Sequence, residues 1–150
     1  MRIAVSSDMD EPVARQLTEE LCLRGHTVLG FGTLGDGDRA DWAWSAEAAA
    51  RAVAAGEADQ AVVCCWTGAG ASIAANKVNG VRAALCADAY SARGARVWAD
   101  ANALALALRT LSHGLLAEIL DAWFDAAPSE KPDDRQNMAH VGEIEEDQAR

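Results

Sequence analysis

Apolar residues along the chain follow two alternating patterns. Short, largely apolar runs predict β-strands, and alanine-rich stretches with apolar residues three and four positions apart predict α-helices. The predicted strands are Arg2–Ser6, Thr27–Phe31, Gln60–Cys65, Val81–Cys86 and Ala103–Leu108. The predicted helices are Pro12–Arg24, Asp41–Ala55, Gly70–Val78, Ser91–Trp98 and His113–Phe124.

This alternation of strand and helix predicts an α/β fold. Right-handed crossovers would give a parallel sheet with helices on both faces. Gln60–Cys65 is continuously apolar apart from its first residue, as expected of a strand covered on both faces. Ligands of such sheets bind beyond the carboxyl ends of the strands. The loops expected to form a site are therefore 6–11, 66–72, 87–90 and 109–113.

The character of the sequence changes at Ala127. Residues 127–150 contain two prolines and few large apolar residues, and carry 7 acidic against 3 basic side chains. We therefore divide the chain into a domain, 1–126, and a polar C-terminal extension, 127–150. The extension is predicted to be an extended, polar tail or a helix, and alone it would be disordered or loosely helical. Alternatively, it lies across a partner subunit.

Length, composition and charge limit the classes of function that the protein can have. A chain of 150 residues with 51% hydrophobic residues fits one folded domain. A net charge of −10 argues against binding of nucleic acid, although a few local arginines suffice for one phosphate group. No apolar stretch is long enough to span a membrane, and the strand-like N-terminus does not resemble a signal peptide, so we expect a cytoplasmic protein.

The cysteines show no spacing typical of a metal site, and neither a metal nor another cofactor is expected. Cys64 and Cys65 would point to opposite faces of their strand, which argues against a disulfide between them. Cys65 could act as a nucleophile or base beside the following loop, or could simply be a small buried apolar residue. Cys22, Cys64 and Cys86 are interpreted as core residues.

The loop Thr67–Ser72 follows a strand and opens a helix. Its glycines would let the backbone approach a ligand, and the first helical N–H groups could hold an oxyanion. The alternative is an ordinary tight turn between strand and helix. Asp8, Asp100 and Asn102 also lie beside predicted strands, and Trp66 and Trp98 are expected on the carboxyl side of the sheet. None of the three histidines stands in an obvious catalytic relay.

One long segment closely resembles a known family. Residues 65–77 read CWTGAGASIAANK and residues 80–84 read GVRAA, where the ribose-5-phosphate isomerase B / galactose-6-phosphate isomerase (RpiB/LacA/LacB) family carries CGTGxGxSIAANKxxGIRAA. Further matches are Ser7-Asp8, residues 56–59 and 90–92, Asp100-Ala101-Asn102, Arg109 and residues 121–123. The resemblance spans about residues 1–124. It implies a Rossmann-like three-layer α/β/α sandwich and a homodimer, or dimer of dimers, with shared active sites.

The resemblance also implies a reaction and its residues. In the family a cysteine removes a proton beside the substrate carbonyl, and a cis-enediol then interconverts aldose and ketose phosphates. The implied catalytic residues are Cys65 and Thr67. The implied residues around a phosphorylated sugar are Asp8, Met9, Trp66, Gly68, Ala69, Gly70, Ala71, Ser72, Trp98, Asn102, Arg109 and Arg135.

The chain departs from the family pattern close to the chemistry. Met9 and Trp98 stand where the family has histidines, Trp66 replaces a glycine, and Trp42 replaces a tyrosine. Loss of one acid–base group typically costs about 10²–10⁴ in rate. Two hypotheses follow. The chain is an isomerase whose substrate has changed, or it is a binding or subunit protein that no longer catalyses.

Overall fold

The computed structural model describes residues 1–36 and 39–148, with the side chain of residue 148 excepted. Five strands and six α-helices are found in this part of the chain. The strands are β1 (Arg2–Ser7), β2 (Thr27–Gly32), β3 (Gln60–Cys65), β4 (Ala83–Leu85) and β5 (Ala103–Ala107). The helices are α1 (Pro12–Leu23), α2 (Trp42–Ala54), α3 (Ala69–Ala75), α4 (Ala89–Ala99), α5 (His113–Phe124) and α6 (Pro132–Gln148), and a short 3₁₀ helix spans Leu108–Thr110.

The strands form one parallel sheet in the order β2-β1-β3-β5-β4. The α/β prediction is therefore confirmed. Because β3 lies between β1 and β5, the segments that follow these three strands are neighbours. Ser7 pairs with Cys64, and Cys65 pairs with Ala107.

Each face of the sheet has its own core. Large apolar side chains of α1 and α5 cover one face, and this core includes Cys64. Alanines of α2 and α3 cover the other face, and this second core includes Cys65. The two thiols thus lie on opposite faces, as the alternation along a strand requires.

Two side chains of the elements around the first core differ in burial. Trp123 is fully buried, and its Nε1 donates a hydrogen bond of 2.7 Å to Gln60 Oε1. Cys22 was expected in the core, but it is exposed. The buried stripe of α1 runs through Leu17 and Leu21, and the next residue along a helix turns about 100° away from such a stripe.

Most of the C-terminal extension forms helix α6, which confirms the helical alternative and excludes an extended form over Pro132–Gln148. Asp133 and Asp134 in the first turn complement the helix dipole. The helix packs against α4 of its own chain, and Glu145 Oε1 accepts a 2.5 Å hydrogen bond from the Gly80 N–H. The last two residues of the predicted extension, 149 and 150, lie outside the described residues.

Within the described residues, no helix is both long enough and apolar enough to cross a membrane.

Candidate active site

The predicted loop residues meet at the carboxyl edge of the sheet. Asp8 and Met9 follow β1, the segment Trp66–Ser72 follows β3, and Arg109 follows β5. The Arg109 N–H donates a 3.1 Å hydrogen bond to the Trp66 carbonyl, which ties the last two of these segments together. The order of the strands, rather than any contact within one segment, therefore creates this site.

Hydrogen bonds fix the turn that carries Asp8. The Ser7 hydroxyl donates to the Met9 carbonyl over 2.8 Å. The Thr33 hydroxyl lies 3.2 Å from both the Ser7 and the Met9 carbonyl oxygens, and the Thr33 N–H donates to the Ser7 carbonyl over 2.9 Å. The segment after β2 thus holds the turn in one conformation, and the position of Asp8 follows from it.

The Asp8 carboxyl is partly buried and forms no ion pair with any residue that the structure describes. Its Oδ1 is buried and has no hydrogen-bond partner among the described residues. Burial raises the pKa of this carboxyl, and a backbone hydrogen bond opposes the rise. A buried acceptor without a partner is costly, so Asp8 is suited to bind a hydroxyl group that a ligand would supply.

Cys65 ends β3 directly before the loop. It is 5% exposed and packs in the alanine-rich core beneath α2 and α3. Its neighbour Cys64 is more deeply enclosed. Burial strongly raises the pKa of the Cys64 thiol, and the charges of Cys65 and Asp8 raise it further. Cys64 therefore stays protonated, and Cys65 is the thiol that borders the loop.

The packing of the protein itself explains both glycines of the loop. Gly68 adopts a left-handed φ of 75°, and a Cβ there would lie 2.9 Å from the Leu106 carbonyl carbon. A Cβ at Gly70 would lie 2.8 Å from the Trp42 ring. Close approach of a ligand is thus not needed to explain these glycines. The first N–H groups of α3 still have no partners within the helix, as at any helix N-terminus.

Trp42 is a neighbour of this loop that the sequence did not place among the site residues. Its indole lies against Gly70 in the first turn of α3 and remains about half exposed. The only sequence signal was its position, where the resembling family has a tyrosine. Trp66 is 48% exposed at the same edge. Two indoles thus flank the beginning of α3.

The other residues of the loop are exposed or make no side-chain hydrogen bond with the described residues. Thr67 and Ala69 are exposed, and the Ser72 hydroxyl makes no hydrogen bond with any described residue.

The side chain of Asn76 connects the end of α3 to β4 by hydrogen bonds. Its Nδ2 donates to the Ser72 and Ala83 carbonyls, and its Oδ1 accepts from the Ala83 N–H. Asn76 therefore holds the end of α3 in place beside β4.

Trp98 and Asn102 do not reach this edge in a single chain. Helix α4 leads from the carboxyl end of β4 to the amino end of β5, so both residues lie at the opposite edge of the sheet. The Asn102 amide is bonded to the Arg82 N–H and the Gly80 carbonyl, both over 2.8 Å. The expectation that Trp98 lies on the carboxyl side is wrong for one chain.

Arg135 is also absent from the carboxyl edge in the single chain. It lies in α6, where its guanidinium pairs with Glu130 over 2.8 Å in an exposed position. Helix α6 packs on α4, and the Ser129 N–H donates to the Val97 carbonyl over 2.8 Å. Trp98 and α6 thus belong to the same side of the molecule, away from Cys65.

Of the three histidines, two lie away from the carboxyl edge of the sheet, and the third has an exposed side chain. His26 stacks on Phe124, and burial, the N-terminal ammonium and Arg24 lower its pKa. His140 Nδ1 lies 2.7 Å from Glu143 Oε2 in α6. His113 is an exposed first residue of α5. The titratable groups assembled from the predicted site residues are therefore Asp8, Cys65 and Arg109.

Comparisons with known proteins agree with the fold. A family of proteins described as Ribose/Galactose Isomerase matches residues 3–141. The galactose-6-phosphate isomerase subunit LacB of Clostridium acetobutylicum is 36% identical over 145 residues, which cover 96% of this chain and 83% of the relative. The D-erythrulose-4-phosphate isomerase of Pectobacterium atrosepticum is 35% identical over 127 residues, 84% of each chain.

A solved structure supports the same assignment over nearly the whole length. Ribose-5-phosphate isomerase B of Clostridium thermocellum superposes with a TM-score of 0.88 at 38% identity, and the match covers 98% of this chain and 99% of the other. The five-stranded parallel sheet, its flanking helices and the C-terminal helix are thus common to both. The chain belongs to the ribose/galactose isomerase family.

Proposed function

We propose that the protein is an aldose–ketose isomerase of a phosphorylated sugar and that Cys65 is its catalytic base. One observation carries this proposal above the others. In a member of this family, Cys65 ends β3 at the carboxyl edge of the sheet, shortly before the Thr67–Ser72 loop, and β3 lies beside β1, which leads into the Asp8 turn. The relatives named above act on galactose 6-phosphate, ribose 5-phosphate and D-erythrulose 4-phosphate according to their names, which supports a small sugar phosphate.

The chemistry requires one base that takes a proton from C2 and returns a proton to C1. The deprotonated Cys65 thiol removes the proton from C2 of the open-chain aldose, and the electron pair moves toward the C1 carbonyl to form a cis-enediolate. The thiol then returns a proton to C1 while the proton of the C2 hydroxyl moves to O1. No atom is gained or lost, so neither a redox cofactor nor a metal is needed for the balance.

The neighbouring groups have separate tasks. The free N–H groups at the start of α3, with the Thr67 and Ser72 hydroxyls, stabilise the negative charge of the enediolate. The Asp8 carboxyl, whose buried Oδ1 has no partner among the described residues, binds sugar hydroxyls. Arg109 is exposed and forms no ion pair with any described residue, so its guanidinium is available for the phosphate. On a chain with net charge −10, such a local cation is required to hold an anion.

A second copy of the chain would complete the site. Trp98, Asn102 and Arg135 lie together on the side of α4 and α6, away from Cys65 of the same chain. Exposed apolar side chains surround the site and α4, as expected of an interface. They are Trp66, Ile73, Leu85, Tyr90 and Trp98. We propose a homodimer, or a dimer of dimers, in which residues 127–150 of one subunit bring Arg135 to the phosphate bound by the other.

We also propose that the protein acts in the cytoplasm. This part of the proposal is tested by fractionation of cells and does not affect the chemistry.

The catalytic role is tested by exchanging one thiol at a time. Cys65→Ala is expected to lower kcat by about 10²–10⁴, the usual loss for an acid–base group. Cys64→Ala is the matched control, because it removes the adjacent thiol on the other face of the same strand. It is expected to lower stability but to keep most of kcat. Full activity of Cys65→Ala would refute the proposed role.

A second candidate is a binding or subunit protein without catalysis. Met9, which is 36% exposed beside Asp8, and Trp98 favour it, because neither side chain can transfer a proton. This candidate predicts that aldose and ketose phosphates bind in calorimetry but are not interconverted. Turnover of any of them at ordinary enzymatic rates would exclude it.

A further inference from the structure

We infer that the site prefers acyclic four-carbon aldose and ketose 4-phosphates over five-carbon sugar phosphates that close into rings, and that Trp66 enforces this preference. The inference rests on the proposed isomerase function and narrows its substrate class. Two independent features carry it: the scarcity of acid–base groups at the site and the bulk of the indole beside Cys65.

The two substrate classes differ in whether a ring must open before isomerisation. An aldose 5-phosphate of five carbons closes through O4 to a hemiacetal that has no free carbonyl. To open this ring, a proton must leave the anomeric hydroxyl and another must reach the ring oxygen, and enzymes catalyse such transfers with positioned acids and bases. In an aldose 4-phosphate of four carbons, O4 is esterified and this ring cannot form. Its carbonyl is available to the base without an opening step.

The titratable groups at the site do not suffice for both ring opening and isomerisation. Cys65 is occupied by the proton on carbon, which leaves Asp8, whose buried Oδ1 has no partner among the described residues, as the first carboxyl after β1. Asp10 of the same turn pairs with Arg15. Met9 presents a thioether, which cannot exchange protons.

A second subunit would not supply the missing acid from α4. The end of this helix offers Trp98 and Ala99, neither of which titrates near neutral pH. His140 of α6 is the one histidine of the extension, and its Nδ1 lies against Glu143. The groups that the chain can bring to the site therefore suit a substrate that needs no ring opening.

The second feature is the space beside Cys65, which the side chain of Trp66 restricts. Trp66 directly follows the nearly enclosed Cys65 and lies between the ends of β1 and β5, where Asp8 and Arg109 are placed. Its side chain is 48% exposed, so it is not packed into either core and is free to border the path of a substrate. Its backbone is held by the bond from the Arg109 N–H. Because Arg109 and Cys65 are fixed by the sheet, the indole shortens the path available to the carbon chain between phosphate and thiol.

The test compares two substrates on the intact protein. We expect kcat/KM for D-erythrose 4-phosphate to exceed that for D-ribose 5-phosphate by at least about tenfold, the discrimination that one pocket group can provide. Equal or higher kcat/KM for D-ribose 5-phosphate, still abolished by Cys65→Ala, would overturn the inference and leave the proposed function standing. Turnover of neither substrate, or turnover independent of Cys65, would overturn both.

The role of Trp66 is tested by Trp66→Ala with Trp44→Ala as its matched control. Trp44 is equally exposed, but it packs under Arg39 on α2, outside the candidate site. Trp66→Ala is expected to shift the ratio of the two kcat/KM values toward the five-carbon substrate by about tenfold, whereas Trp44→Ala leaves it unchanged. An unchanged ratio in folded Trp66→Ala, verified by circular dichroism, would refute this role. Should that variant not fold, Trp66→Phe provides the same comparison with a smaller ring.

Discussion

Cys64 and Cys65 have the same side chain and adjoining positions, but opposite surroundings. The first is enclosed by large apolar residues, and burial raises the pKa of its thiol far above the ordinary value. The second lies under the loop that opens α3. Only the face of the strand differs between them. At the scale of the residue, function here depends on which side of the sheet a side chain occupies.

The Asp8 carboxyl should lower the free energy of unfolding at neutral pH. Burial raises the pKa of its carboxyl in the folded state, so the unfolded chain releases this proton first as pH rises. The folded state therefore loses stability between the ordinary pKa of 3.8 and the raised native value. Asp8→Asn should raise the melting temperature by a few degrees at pH 7, and the gain should vanish below the ordinary pKa.

The matched control is Asp10→Asn, because Asp10 is exposed and paired with Arg15. Its melting temperature should not exceed that of the wild type at any pH. The measurement is thermal unfolding by circular dichroism between pH 3 and 8. A gain for Asp8→Asn that is independent of pH would show that proton binding is not its cause.

Residues at the ends of strands were predictable, because a parallel sheet gathers its carboxyl ends at one edge. Cys65, Asp8 and Arg109 were placed at that edge from the sequence, and the structure places them there. Trp98 was also placed there from the sequence, wrongly, because α4 returns the chain to the opposite edge before this residue. Cys22 was misplaced by one position on a helix.

The element that most constrains the site is the loop from β3 into α3. Gly68 packs against β5 with a left-handed backbone, and Gly70 packs against Trp42. The loop is therefore fixed from two sides before any ligand binds. Preorganised N–H donors of this kind stabilise developing charge without a reorganisation cost.

Gly68→Ala should test this constraint. The left-handed φ alone costs an alanine about 1–2 kcal/mol, and the contact with the Leu106 carbonyl carbon adds to it. Gly56→Ala is the matched control, because Gly56 has a φ of 73° but no atom within 4 Å of the position that a Cβ would occupy. In urea unfolding, Gly68→Ala should be clearly less stable than Gly56→Ala. Equal losses would show that packing at Gly68 does not matter.

Helices and strands with a clear period were predicted to within a few residues, whereas α6 was not. The periodic apolar positions of α1 and α5 have counterparts in buried side chains. In α6 the apolar residues Met138, Val141 and Ile144 are few among acidic neighbours, and their helical spacing was hidden in a polar composition. Its contacts with α4 and Gly80 depend on the tertiary fold, which a local pattern does not reveal.

At the scale of the whole molecule, the candidate residues divide into two groups. Cys65, Asp8 and Arg109 lie at one edge, and Trp98, Asn102 and Arg135 lie on the side of α4 and α6. A site that needs both groups must be assembled from two subunits. This arrangement can be tested without a structure of the dimer.

Two inactive variants should complement each other. In a hybrid dimer of Cys65→Ala and Arg135→Ala, one site receives Cys65 from one subunit and Arg135 from the other, and the second site receives neither. Hybrid dimers isolated through two different tags should therefore show about half of the wild-type activity at low substrate concentration. Activity no higher than the mean of the separate variants would contradict shared sites. The assay follows aldose conversion after purification through two different tags.

The central claim is that Cys65 moves a proton between two adjacent carbons of a sugar phosphate. The most direct measurement is incorporation of solvent deuterium, followed by NMR as the protein converts D-erythrose 4-phosphate in D₂O. Deuterium should appear at C1 of the ketose with the wild type and with Cys64→Ala, and both product and deuterium should be lost with Cys65→Ala. If Cys65→Ala formed deuterated ketose at the wild-type rate, the claim would be contradicted.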